Sequence, residues 1–128
     1  MSDMAIEDRY ATLELKDGIL HFVYKPIRCI NLTIAKNVVE TRLRFQEGIC
    51  YPVMCDLRAV EGADKDARDY LAIKGSLLTK AQAFLIKSNY TLHILSMYLQ
   101  TTAVNPPTEI FKEETPAIAF LSRFRKEI

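Results

Sequence analysis

Glycine is scarce in this sequence, with four in 128 residues, and none falls in a GxxxxGK[ST], GxGxxG or GxSxG pattern. Phosphate-cradling loops and the strained nucleophile elbow are therefore excluded. Cysteine and histidine are equally sparse. Cys29, Cys50 and Cys55 form no CxxC pair, and His21 and His93 stand 72 residues apart with no HxxxH spacing. That leaves no set of ligands for a structural zinc, and neither a metal nor a cofactor is expected. Charge of either sign is not in surplus: 17 basic against 16 acidic residues give a net +1. A nucleic-acid partner, which needs a face rich in Lys and Arg, is not expected. No apolar run approaches the roughly 18–20 residues that cross a bilayer, so membrane insertion is not expected either. The opening Met-Ser-Asp-Met lacks the basic and apolar regions of a secretory signal. The three cysteines then read as buried or free thiols in a reducing, cytoplasmic setting.

What is present suffices for one self-contained core. Hydrophobic residues make up 49% of the chain and charged residues 26%, the balance of an ordinary single domain. Ala11–Leu15 alternates apolar and polar side chains. Lys16-Asp17-Gly18 supplies a turn, and Ile19–Tyr24 is apolar-rich, which together predict a β-hairpin. From Asn31 or Thr33 the period changes. Ala35, Val38, Val39, Leu43 and Phe45 recur near 3.6 spacing until Gly48, predicting a helix. Tyr51–Cys55 is short and continuously apolar, as in a strand buried on both faces. Asp64 caps a second helix with Ala67, Tyr70, Leu71 and Ile73 as inward positions. Ala83–Ile86 predicts a strand, Ser88 to about Thr101 a third helix, and Glu109–Phe111 a strand. A last helix has Thr115 as N-cap and Pro116 at its first position. The expected fold is α/β: a mixed, mostly parallel five-stranded sheet with four helices, in the order β-β-α-β-α-β-α-β-α. The first hairpin strand is its antiparallel member.

No catalytic residue is expected. His21 sits on a strand beside Ile19 and Val23. His93 sits mid-helix among Asn89, Tyr90, Met97 and Gln100, with no carboxylate to orient it as a base. The segment from Asp56 to Arg68 is the place for a site, because loops after strand C-termini form the ligand crevice of open α/β sheets. Asp56, Arg58, Asp64, Lys65 and Arg68 are its candidate partner- or ligand-binding residues. Extended to Asp69, the stretch holds five acids against three bases. Asp64 and Arg68 also stand at i, i+4, where a helix ion pair would occupy the arginine.

A second feature is a gap in charge. The 21 residues from Ser88 to Thr108 contain no Asp, Glu, Lys or Arg. The apolar side chains of the third predicted helix occupy most of its circumference, so it must be covered on nearly all sides. Its cover is a homodimer or partner face, the chain's own loops, or an apolar ligand. Few charges with Tyr and Met present is the composition of an interface. Tyr90, Ile94, Met97 and Tyr98 are the candidate interface residues.

Together, Pro52-Val53-Met54-Cys55-Asp56-Leu57-Arg58-Ala59-Val60, the helix opening at Asp64, the strand Ala83-Phe84-Leu85-Ile86 and Ile110-Phe111-Lys112 before a Thr-Pro-capped helix resemble the STAS family. This is the domain of anti-sigma-factor antagonists and sulfate-transporter tails. Over residues 11 to 125 the chain looks most like the small stand-alone STAS-like bacterial proteins of unknown function. The resemblance implies a β/α superhelix and regulatory protein–protein binding. In signalling members a serine at the start of the second helix, within Asp-Ser-x-Gly-Leu, is phosphorylated. Here Asp64 falls near that aspartate, Lys65 stands where the serine would be, and no Gly-Leu follows. The expected function is a STAS-like binding module without the phosphoserine switch, acting on an unknown protein partner and as a homodimer. The alternative is a carrier or enzyme for a small apolar ligand held under the third helix.

Overall fold

The computed structural model describes residues 4–89 and 106–125. Its nine described elements are β1 (Met4–Glu7), β2 (Ala11–Lys16), β3 (Ile19–Tyr24), α1 (Leu32–Gln46), β4 (Tyr51–Asp56), α2 (Lys65–Lys74), β5 (Thr79–Leu85), β6 (Thr108–Phe111) and α3 (Glu114–Ser122). The strands form one six-stranded sheet in the order β1-β2-β3-β4-β5-β6. β1, β2 and β3 pair antiparallel, and β3 through β6 pair parallel.

The hairpin forms where the sequence places it. Asp17 and Gly18 both adopt left-handed backbone, φ 52° and 78°, the geometry of a two-residue type I′ turn that matches the strands' twist. Asn31 caps α1 by accepting the Ile34 N–H at 2.9 Å, and the helix ends in left-handed Glu47 and Gly48. β4 lies in the middle of the sheet, so Val53 and Met54 are both buried although they point to opposite faces. One face carries Leu13, Leu20, Phe22 and Val53 under Ala35, Val38 and Phe45 of α1 and Ala67 of α2. The other packs Ile19, Met54, Ala81, Ala83 and Leu85 against Ala117, Phe120 and Leu121 of α3.

Four expectations are corrected. The sheet has six strands, not five: β1 lies in the polar start, and all four of its residues are exposed. An exposed edge strand needs no buried stripe, so it leaves no apolar alternation to read. On α1 the buried positions after Val39 are Arg42, Phe45 and Gln46, while Leu43 is only half-buried. On α2, Ile73 is 67% exposed; the helix meets the core through buried Ala67 and the partly buried Tyr70 and Leu71. Finally, α3 begins at Glu114 with Glu113 as an N-cap that makes no side-chain bond. Thr115 is thus inside the helix, and Pro116 fits at its third residue because the N–H groups of the first turn have no helical acceptor. Among the described residues there are three helices. The helix expected from Ser88 to Thr101, with Tyr90, His93, Ile94, Met97 and Tyr98, lies outside them from residue 90 on.

Arg42 and Gln46 join α1 to the chain beyond α2. The Arg42 guanidinium donates to the carbonyls of Leu77 at 2.9 Å and Gly75 at 3.0 Å, and to the Gln46 side-chain oxygen. The Gln46 amide donates to the carbonyls of Ile49 at 2.9 Å and Leu78 at 2.8 Å. Leu78 is left-handed, φ 58°, and these bonds hold the strained turn that feeds β5.

Candidate functional site

The C-terminal ends of the parallel strands carry the loops in which the sequence places a site. The β3–α1 and β4–α2 loops run parallel and bond to each other. Ile27 N–H donates to the Ala59 carbonyl at 3.2 Å and Glu61 N–H to that of Ile27 at 2.9 Å. Ile30 N–H donates to Gly62 at 2.8 Å and Asp64 N–H to Ile30 at 3.0 Å. Isolated bridges at Ile27–Val60 and Ile30–Ala63 mark this ladder. Leu57 N–H reaches the Leu85 carbonyl at 2.8 Å, so the segment leaving β4 is tied on both sides.

Asp56, the last residue of β4, is buried. Its Oδ1 accepts from the Arg58 backbone N–H and Nε, both at 3.0 Å, and its Oδ2 accepts from Nη2 at 2.7 Å. This is a two-pronged pair closed over a tight turn, which fixes the guanidinium plane. The hydrogen bond to Asp56 raises the Arg58 pKa despite partial burial, with Glu114 and Glu113 at the start of α3 acting in the same direction. Arg58 is therefore already neutralised, in an acidic setting that does not favour an anion.

Around the first turn of α2 each charged candidate is also occupied. Asp64 accepts the Ala67 N–H at 2.9 Å as the helix cap. Arg68 Nη1 donates to the Ala63 carbonyl at 2.6 Å. The expected Asp64–Arg68 ion pair is absent among the described residues. As N-cap, Asp64 has extended backbone, φ −77° and ψ 170°, so helical i, i+4 spacing does not bring the two side chains together. The ion pair of this turn is Lys65 with Asp69, at 2.7 Å and well exposed. That hydrogen bond raises the Lys65 pKa. Lys65 is the first residue of α2. The structure thus joins Asp56 with Arg58, and gathers Asp64, Lys65 and Arg68 around one helix end.

His21 is half-buried, opposite Glu14 on β2. Burial, then Lys16, lower its pKa, against opposing contributions from Glu114, Glu14 and Asp17. No hydrogen bond orients its ring among the described residues, so nothing equips it as a base. Cys55 lies within β4. Burial pushes its thiol up to about 12, with Asp56 adding to the rise and Arg42 opposing it, so it is a poor nucleophile at neutral pH. Among the described residues no group of three or more His, Cys, Asp or Glu side chains is placed to hold a metal ion. No helix among them is long and apolar enough to cross a membrane.

Sequence reasoning missed Arg42 and Gln46. The signal was the helix phase. Continuing 35, 38, 39 at 3.6 residues per turn lands on 42 and 46, and the apolar Leu43 drew attention from the polar residue beside it.

A mixed sheet of sequential strands with α3 closing its second face is a SpoIIAA-like, that is STAS-like, fold. A solved structure described as an uncharacterised protein of the DUF3478 family with a SpoIIAA-like fold, from Shewanella loihica PV-4, superposes with a TM-score of 0.60. The match covers 92% of this chain and 90% of that one at 13% identity. Within that class, this chain belongs to the family described as Domain of unknown function (DUF7793), whose model matches residues 13–125. No curated protein matches the sequence.

Proposed function

We propose that the chain is a binding module of the STAS-like class. It acts through protein–protein contacts at the β4–α2 loop and the first turn of α2, and has no phosphoserine switch. The observation that carries this reading is the loop-to-loop ladder at Ile27–Val60 and Ile30–Ala63. It holds the loop leading into α2, whose first turn exposes Asp66 and the Lys65–Asp69 pair, while the other polar candidates are turned to bonds within the loop and cap. A preformed surface with satisfied internal bonds suits recognition, because little ordering is left for the moment of binding. It does not suit acid–base chemistry, which needs a group free to exchange a proton. The uncharged window with Tyr90, Ile94, Met97 and Tyr98 is the second contact surface in this reading.

Lys65 occupies the place of the regulated serine with a fixed positive charge, so the contact is constitutive. The test is recovery of partners with wild type and with Lys65→Glu, combined with phosphosite mapping of the recovered chain. Lys65→Glu, which brings a negative charge among Asp64, Asp66 and Asp69, is expected to release a partner that wild type retains. A partner indifferent to the substitution, or a phosphate between Glu61 and Tyr70, would remove this surface from the reading.

A further inference from the structure

The two edges of the sheet are built differently. β6 follows directly on Pro106-Pro107, a feature that discourages strand addition. β1 has neither proline nor lysine, and it pairs with β2 in unbroken register from Met4–Leu15 to Glu7–Thr12. Its side chains alternate. Met4 and Ile6 lie on the face of Leu13 and Leu15, yet are 48% and 40% exposed.

The backbone directions of β1 follow from the hairpin. Lys16 and Ile19 flank a two-residue turn and therefore exchange hydrogen bonds. Alternation along β2 then turns the N–H and C=O groups of Leu13 and Leu15 away from β3 and toward β1. The Asp8 N–H on the Ala11 carbonyl, 3.0 Å, continues that pattern. Met4 and Ile6 thus spend their backbone groups on Leu15 and Leu13, while those of Ala5 and Glu7 point outward. No hydrogen bond meets those outward groups among the described residues.

We propose that a second copy of this chain pairs antiparallel along the β1 edge, about a two-fold axis at Ile6, joining two six-stranded sheets into one. In this register Ala5 exchanges both backbone bonds with the partner's Glu7, and Glu7 does the same with the partner's Ala5. Each outward donor and acceptor is satisfied. Ile6 meets the partner's Ile6 as a close non-hydrogen-bonded pair, on the face that continues from Leu13. The charges are compatible as well. Glu7 faces alanine rather than another acid, and its carboxylate is already held by Lys25 of its own chain. The edge is thus self-complementary, as an isologous contact requires.

This goes beyond the partner surface proposed above, which lies at the C-terminal end of β4. A joint of one short strand buries less than the roughly 1,000 Å² of a lasting interface, so the association is weak and concentration-dependent.

The experiment is sedimentation equilibrium from about 10 μM to about 1 mM, where a weak dimer populates measurably. The wild-type mass is expected to rise from 14.6 kDa toward twice that value. Ala5→Pro removes an outward N–H that the β1–β2 ladder does not use. It should leave the circular dichroism unchanged and weaken self-association at least about tenfold. Ile6→Glu, at an exposed position, places like charges together on the two-fold axis and should do the same. A wild type that stays monomeric at about 1 mM would overturn the proposal. So would variants that associate like wild type, or a dimer dissolved by Met97→Glu but untouched by Ala5→Pro, which would place the joint in the uncharged window. Partner capture that depends on Lys65 should survive Ala5→Pro, so the two readings fail separately.

Discussion

Replacing Arg42 tests the link between α1 and the turn into β5 most directly. The side chain is buried, and its guanidinium serves the carbonyls of Gly75 and Leu77 and the side chain of Gln46. A hydrogen bond from a charged donor contributes about 1.5–3 kcal/mol net. Three such bonds set an upper limit that two effects reduce. Removing Arg42 relieves the burial of a cation that has no carboxylate partner among the described residues, a burial that lowers its pKa. The Leu77 end of the site is exposed, so water can reach the freed carbonyl. The balance for Arg42→Ala is a loss of about 2–4 kcal/mol. With unfolding entropy of about 2.1 cal/mol/K per residue, a chain of this length should melt roughly 7–15 °C lower. Arg42→Lys should fall between, since one ammonium cannot fork to two carbonyls. Thermal and urea unfolding followed by circular dichroism read both variants. A loss under about 1 kcal/mol for Arg42→Ala, or wild-type stability for Arg42→Lys, would refute the assignment of this residue as the link.

Thiol chemistry should separate the cysteines: Cys29 and Cys50 are exposed while Cys55 is not, so a thiol reagent at pH 8 should label the first two rapidly and Cys55 only after denaturation. Because folding raises the Cys55 pKa to about 12 from 9, the unfolded thiol ionises first as pH rises; stability should fall between about pH 9 and 12, and a Cys55→Ser variant should lose that part of the slope. Thr115→Ala, expected from the sequence to cost about 1 kcal/mol as a lost cap, should change stability by under about 0.5 kcal/mol, because Thr115 lies within α3 and caps nothing. A melting temperature lowered by several degrees would show that the helix starts at Thr115 after all.

The elements legible in the sequence are those whose signal is local. The Asp17-Gly18 turn, the Asn31 and Asp64 caps and the apolar run of β4 each state their structure within a few residues. β1 was not legible, because an edge strand owes its existence to the strand it pairs with rather than to its own pattern. The pairing inside the candidate segment was not legible. Asp56 and Arg58 stand out as charges at the end of a buried strand, and only the turn between them shows that they bind each other. Lys65 and Asp69 share the spacing of Asp64 and Arg68, and the sequence alone does not say which pair is inside the helix and which begins at its cap.

The order of strands in the sheet is the order in which they are synthesised. Each strand from β2 to β6 finds its partner already made and lying at the growing edge, so the sheet can extend in step with translation. The face bearing Ile19, Met54, Ala81, Ala83 and Leu85 is different, since its cover is α3, the last described element. Until residues 114–122 are delivered, no other described element covers that apolar face of the sheet. For that interval the nascent protein is most exposed to chaperones and to misassociation, and a message truncated before α3 would leave it so permanently.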